Sequence, residues 1–235
     1  MKTRTMLLFL TLMFSPTSPL FADLPRNNSP EELERWFNSN EEEWKPQDIN
    51  EGALHFLKAA PKIKPHRANN HITITAASTR TGWVSLTQCY TDLDTLPAIQ
   101  IVYKKQSIKN IRILKAQHIG ESWVEDNTVQ MKSINTGAEI CIQAELHALT
   151  RQADHQFTLQ TGPYRRKFLD GYFPIDLELT IDYPDNFVLT HTQPMAQAGF
   201  AVHNNGKSLA VTALFEGVLA PKFKFSRKSV TNTPL

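Results

Sequence analysis

The chain has 235 residues, 25 lysines and arginines against 23 aspartates and glutamates, and a formal net charge of +2. So small an imbalance excludes a chain-wide field that would concentrate nucleic acid or anionic lipid, and any electrostatic recognition must be local. Loss of an N-terminal leader containing Lys2 and Arg4 would leave 23 side chains of each sign. We therefore expect no nucleic-acid partner.

Residues 1–22 have the pattern of a secretory signal peptide. Lys2 and Arg4 precede the apolar run "MLLFLTLMF", and small residues lead to a cleavage position near Ala22. The apolar run is shorter than the roughly 20 residues that cross a bilayer. We expect an exported mature chain, periplasmic or secreted, without stable membrane insertion.

Residues 23–70 are predicted to contain a helix, a short strand and a loop. Ser29 as N-cap, Pro30 at the first helical position and Glu32 three residues after the cap together predict a short N-terminal α-helix. The stretch "ALHFL" predicts a short strand. The following "KAAPKIKPHRANNH", rich in proline, asparagine and basic residues, predicts a loop.

Residues 71–235 are predicted to form one β-sandwich domain. Apolar residues alternate with a period of two in several segments, which is typical of half-buried strands. The turn sequences "NTG", "TGP", "DG", "YPDN" and "NNG" separate these segments, and "FAVHNNGKSLAVTALF" predicts a hairpin closed by its Asn-Gly step. The fold class expected is mainly β, an antiparallel two-sheet β-sandwich with the short N-terminal helix.

The two cysteines, Cys89 and Cys141, are predicted to form a disulfide because the chain is exported. No CxxC or HxxxH accompanies them, so a zinc site lacks its usual spacing. Both cysteines share strand faces with polar residues. We expect the bridge to join neighbouring strands near the exterior of the sandwich.

Three stretches carry a resemblance to a known family. They are "GWVSLTQCYTDLDTLPAIQIVY", "GPYRRKFLDGYFPIDLELTIDYP" and "FEGVLAPKFKF". With them the chain resembles an uncharacterised family of predicted secreted proteobacterial proteins, from Asn50 to the last strand. The resemblance implies export and a shared fold, and it implies no activity, ligand or catalytic residue.

Three histidines near one another in sequence, His55, His66 and His71, are weak candidates for a metal site. Solvent-facing histidines are the simpler interpretation, because their spacing matches no metal motif. We predict no metal and no cofactor.

Hydrolysis would need paired carboxylates across a cleft, and Asp92 with Asp94 or Asp182 with Asp185 supply such pairs in sequence. Nucleophile and phosphate-loop motifs such as GxSxG, GxGxxG and GxxxxGK[ST] are absent from the sequence. The sequence therefore predicts no catalytic residue.

The stretch "GPYRRKFLDGYFP" contains the ligand-binding candidates. Its guanidinium groups and aromatic rings suit a carboxylate, phosphate or acidic sugar. In a second, structural interpretation, Asp170 pairs with Arg165 or Arg166 to hold a turn, and the aromatic and apolar side chains of the loop fold inward, namely Tyr164, Phe168, Leu169 and Tyr172. The candidates are Tyr164, Arg165, Arg166, Lys167 and Tyr172.

Two functions of different classes remain open from the sequence. The favoured one is a non-catalytic cell-envelope binding or assembly module, with an envelope protein or glycan as partner and the loop at Arg165 and Arg166 recognising an anion or glycan. The alternative is a hydrolase of envelope polymer or peptide with a cleft of dispersed Asp, Glu and His.

Overall fold

The computed structural model describes residues 50–59, 61–169 and 171–228. The predicted signal peptide and the predicted N-terminal helix lie outside these residues, as does Asp170. The described residues are mainly β. Their helical elements are α1, Ser78–Thr81, and a short 3₁₀ helix, Lys105–Ser107. None of the described helices has the length and apolar character needed to cross a membrane.

The part of the chain that the structure describes contains fifteen strands in three sheets. In chain order they are β1 His55–Phe56, β2 His66–Thr73, β3 Trp83–Thr91, β4 Ala98–Val102, β5 Ile108–Glu125, β6 Thr128–His147, β7 Leu149–Ala153, β8 Gln156–Gln160, β9 Arg166–Phe168, β10 Gly171–Phe173, β11 Ile175–Asp182, β12 Phe187–Gln193, β13 Phe200–Asn204, β14 Ser208–Glu216 and β15 Lys222–Arg227.

The largest sheet has nine strands, in the order β1-β14-β11-β2-β3-β6-β4, with β13 paired to β14 and β5 paired to β6. Its strands pair antiparallel except β2 and β11, which are parallel. A second sheet has the order β12-β15-β8-β7, and β9 with β10 forms a separate two-stranded hairpin. The prediction of a mainly β chain with antiparallel sheets is confirmed.

The nine-stranded and four-stranded sheets contribute to one hydrophobic core. Ile72 and Leu177 of the larger sheet belong to the same buried cluster as Phe157, Phe223 and Phe225 of the smaller one. Each of these side chains is at most 3% exposed, and burying a side chain of this size stabilises a fold by roughly 1.5–3 kcal/mol. One buried cluster therefore contains side chains of both sheets.

Strand β2 begins five residues before the predicted start of the β region, inside the segment predicted as a loop. Its residues alternate between buried and exposed, as in any half-buried strand. The loop prediction fails over His66–His71 because the buried positions there hold His66, Ala68 and Asn70, which give no apolar period. The polar side chains of His66 and Asn70 thus lie on the buried face of the larger sheet.

Strand β6 is continuous through the "NTG" stretch that predicted a turn between two strands. Positive φ angles at Ser133 and Gly137 let the strand change direction there without ending. The hairpin predicted around "NNG" is confirmed, since β13 pairs antiparallel with β14 and Gly206 has a φ of 89°.

The cysteine prediction agrees with the register of β3 and β6. Cys89 and Cys141 lie directly opposite one another in these adjacent strands, and their sulfurs are 2.12 Å apart. The partly exposed Thr87 and Gln143 share their face. The bridge thus joins neighbouring strands on the outer face of the larger sheet.

Candidate functional site

The connection between β8 and β11 carries the residues that the sequence singled out. Tyr164 forms an isolated bridge with Leu219, in which its amide donates to the Leu219 carbonyl at 2.8 Å and its carbonyl accepts at 3.0 Å. Two residues later the chain enters the β9–β10 hairpin. The bridge fixes the backbone before Arg165, and the hairpin fixes it after.

Arg166 is buried, with a relative exposure of 8%, and its guanidinium makes four hydrogen bonds within the protein. It makes a bidentate ion pair with Asp94, in which Nε donates to Oδ2 at 3.1 Å and Nη2 donates to Oδ1. Nη1 donates to the carbonyls of Lys64 at 3.1 Å and Pro174 at 3.3 Å. This geometry gives Arg166 a structural role, because four of its five N–H groups already have acceptors within the protein.

His66 completes this cluster from β2. Its Nε2 lies 2.7 Å from Asp94 Oδ2 and 3.2 Å from the Asp94 amide nitrogen. One ring nitrogen cannot both donate and accept, so the shorter, charge-assisted contact identifies Nε2–H as a donor to the carboxylate. Burial, reinforced by the Arg166 charge, lowers the pKa of His66 to about 4, although Asp94 opposes the shift. His66 is therefore neutral at pH 7.

Beside this cluster is a cavity of about 760 Å³, within the range of small-ligand sites. Strands β3, β4 and β6 supply one part of its wall, and the end of β8 with the following turn supplies another. Three tyrosines line it: Tyr90, Tyr103 and Tyr164. The cavity is therefore bounded by phenol rings from three separate elements.

The phenols of the cavity are neutral hydrogen-bonding groups. Burial raises the pKa of all three, and the nearby phenols raise those of Tyr90 and Tyr103 further. Tyr103 donates its hydroxyl hydrogen to Oε1 of Gln88 at 2.7 Å. Because Gln88 is only 4% exposed, this hydrogen bond fixes the position of the Tyr103 ring in the wall.

Two exposed cations, Lys104 and Arg165, stand on the cavity wall. Neither takes part in the salt bridges formed among the described residues. None of the described lining residues is an aspartate or glutamate. The wall thus has uncompensated positive charge next to neutral phenols, which favours a negatively charged group.

The five ligand-binding candidates divide into three groups. Tyr164 and Arg165 line the cavity, and Arg166 belongs to the buried cluster. Lys167 and Tyr172 lie in the hairpin outside the cavity lining, with the Lys167 ammonium 5.4 Å from the centre of the Tyr172 ring. The predicted pairing with Asp170 falls outside the described residues.

The inward folding expected of the loop's aromatic and apolar side chains occurs only in part. Tyr164 is buried at 7% exposure, whereas Phe168 and Tyr172 are half-buried. Leu169 is fully exposed at the turn of the hairpin, so the prediction that it folds inward is wrong. A residue at the tip of a two-stranded hairpin has no opposing layer against which to pack.

The three histidines considered as metal ligands are not brought together. His66 and His71 point to opposite faces of β2, and His55 is on β1, which pairs with β14. His71 is engaged with Asp182 at 2.6 Å. Within residues 50–59, 61–169 and 171–228, no group of three or more His, Cys, Asp and Glu is placed to hold a metal ion.

The carboxylates considered for hydrolysis have cationic or histidine neighbours. Asp92 pairs with Lys64 at 2.7 Å, Asp185 with Lys207 at 3.3 Å, and Asp182 with His71. The hydrogen bond from His71 is the main reason why the pKa of Asp182 is lowered. Together with the pair of Asp94 and Arg166, these contacts leave three of the four carboxylates in ion pairs with lysine or arginine and the fourth, Asp182, hydrogen-bonded to His71.

Sequence reasoning missed Tyr103, Gln88 and Lys104 as cavity residues, and Asp94 as the partner of Arg166. Tyr103 and Gln88 are in predicted strand segments, but only the register of β3, β4 and β6 brings them to one wall. A polar Gln88 at an inward position of "WVSLTQCY" is the one signal that could have indicated an interior polar site.

No protein-family model matches the sequence, and no curated protein matches it significantly. One solved structure with weak similarity is a two-domain M1 zinc metallopeptidase mutant bound to L-tryptophan, at 12% identity and a TM-score of 0.34. The match covers 76% of this chain and 44% of that one, so the chain spans less than half the length of that protein. A TM-score this low supports no conclusion about fold or activity.

Proposed function

We propose that the chain is an exported, non-catalytic β-sandwich module of the cell envelope, and that its tyrosine-lined cavity binds a small acidic ligand or the acidic end of a glycan. The observation that carries the proposal is the cavity wall: Lys104 and Arg165 are exposed and outside every salt bridge of the described residues, and three neutral phenols adjoin them.

The charge pattern favours binding over hydrolysis. Hydrolysis of a glycosidic bond ordinarily uses a pair of carboxylates at the reacting bond, and no carboxylate is among the described lining residues. An acidic ligand instead needs charge-assisted donors, which Arg165 and Lys104 supply, and phenol hydroxyls can add further hydrogen bonds.

The test is calorimetric titration with glucuronic acid, with glucose as the neutral control. We expect glucuronic acid to bind more tightly than glucose. Replacement of Arg165 by alanine should weaken its binding roughly 10- to 150-fold, because a charge-assisted hydrogen bond contributes roughly 1.5–3 kcal/mol.

Lys167→Ala is the matched control, because this cation is two residues away and outside the cavity lining. It should leave the affinity unchanged. Equal binding of the acid and of glucose would contradict the proposal, and so would an equal loss of affinity in the Arg165 and Lys167 variants, which indicates non-specific charge attraction.

A further inference from the structure

The wall of the cavity connects two hydrophobic clusters of the protein. Leu86 of β3 belongs to the large buried cluster, and Leu146 of β6 packs against it. Ile101 of β4 packs against a second buried cluster, most of whose members are on β6, and Tyr90 and Tyr103 pack against both clusters. All five side chains line the cavity. This part of the wall therefore consists of hydrocarbon and phenol rings.

Val102 adds an exposed apolar residue to this wall. It lines the cavity at 57% relative exposure and precedes Lys104 by two residues. Pro163, which is also exposed in the lining, precedes Arg165 by two residues. Each of the two cations thus follows closely after an apolar residue of the same cavity. A ligand whose acid group is bound by these cations would meet apolar surface with the rest of its structure.

The hydrogen-bonding groups of the apolar wall are in part used within the protein. The Tyr103 hydroxyl donates to Oε1 of Gln88 at 2.7 Å, and Gln88 is only 4% exposed. A sugar ring carries several hydroxyls, and each of them needs a partner once it leaves water, whereas a hydrocarbon chain needs none. The wall therefore suits a hydrocarbon body better than a polyhydroxylated one.

We propose that the cavity binds an aliphatic carboxylic acid, such as a medium-chain fatty acid. Its carboxylate contacts Lys104 and Arg165, and its chain lies against Ile101, Val102 and Leu146. This inference rests on the proposed function of the cavity and specifies the class of acid. A cavity of about 760 Å³ has room for such a chain, and ligand sites commonly combine a mainly apolar lining with a few polar groups that fix orientation.

The experiment is calorimetric titration of the protein with butyrate, hexanoate and octanoate. The affinity should rise about fourfold with each added methylene, as expected when each is transferred from water to an apolar wall. Octanoate should also bind more tightly than glucuronic acid. Equal affinities for butyrate and octanoate would overturn the inference.

Val102→Thr tests the apolar wall directly. Threonine has nearly the shape of valine and position 102 is exposed, so the variant should fold as the wild type does. It should bind octanoate about fourfold more weakly, because a methyl group is replaced by a hydroxyl. Val188→Thr is the matched control, since Val188 is exposed on β12 and outside the cavity lining. Equal affinity of the two variants for octanoate would contradict the inference.

A neutral ligand, 1-octanol, separates the inference from the function on which it rests. Octanoate should bind more tightly than octanol, and Arg165→Ala should weaken the binding of octanoate alone. Equal binding of octanoate and octanol would overturn the proposed function, and the inference with it, because the cations would then contribute nothing. A preference for octanoate over octanol without dependence on chain length would overturn the inference alone.

Discussion

Arg165 and Arg166 are adjacent in sequence and have opposite environments. Arg166 is buried and donates to Asp94 and to two backbone carbonyls, whereas Arg165 is exposed on the wall of the cavity. The extended backbone between the Tyr164 bridge and the β9–β10 hairpin turns consecutive side chains to opposite sides. Two identical guanidinium groups therefore have different roles. Arg166 stabilises the fold, and Arg165 presents an exposed positive charge.

The difference shows that a run of cations is not a single functional unit. A buried guanidinium whose donors are mostly used within the protein stabilises the fold and has little capacity left for a ligand. A guanidinium without an acidic partner gives little stability and is free for an anion. The two regions therefore differ in what a substitution changes: stability in the buried cluster, binding in the cavity.

The largest expected effect is in the buried cluster. Arg166→Ala should lower the free energy of unfolding by roughly 3–5 kcal/mol, because it leaves the Asp94 carboxylate without its bidentate partner. Urea unfolding measures the loss, with Lys167→Ala as the control that stays within about 0.5 kcal/mol of the wild type. If the two variants unfold alike, the contrast between the regions disappears.

The pH dependence of stability is a second test of the buried cluster, through His66. The pKa of His66 is about 4 in the fold and 6.5 when unperturbed, so the unfolded chain binds the proton first as pH falls. The free energy of unfolding therefore has its full value, as far as His66 is concerned, above pH 6.5. It falls by on the order of 2–3 kcal/mol between about pH 6.5 and 4.

His66→Gln should flatten this part of the pH profile, and His203→Gln, at an exposed position, should not. Thermal melts at a series of pH values check both variants. A wild-type stability that is constant between pH 6.5 and 4.5 would mean that His66 is not held neutral by the cluster.

The cavity wall should tolerate substitution better than the cluster. Tyr103→Phe removes the hydroxyl that donates to the buried Oε1 of Gln88, so we expect a loss of about 1–2 kcal/mol in urea unfolding. A loss as large as that of Arg166→Ala would place the tyrosine wall in the structural region instead.

The smallest effect on stability is expected at Arg165. Arg165→Ala should change the free energy of unfolding by less than about 0.5 kcal/mol, because the side chain is exposed and outside the salt bridges of the described residues. Urea unfolding next to Arg166→Ala gives the direct contrast. A loss above about 2 kcal/mol would assign Arg165 a structural partner.

The strands could be predicted where apolar residues occupy every second position, as in β11 and in the β13–β14 hairpin. They could not be predicted where polar side chains face inward, since His66 and Asn70 remove the apolar period from β2. The pair of Arg166 and Asp94 joins residues 72 apart in sequence, a contact that only the folded topology determines. The sequence identified Tyr164 and Arg165, but the other cavity residues depend on strand register.

The most direct test of the divided roles follows the two arginines separately in one sample. In a nuclear magnetic resonance titration of isotope-labelled protein with glucuronic acid, the Nε–H resonance of Arg165 should shift with ligand concentration. That of Arg166 should stay in place and exchange slowly with solvent, because it donates to Asp94. A shift at Arg166 with none at Arg165 would contradict the account.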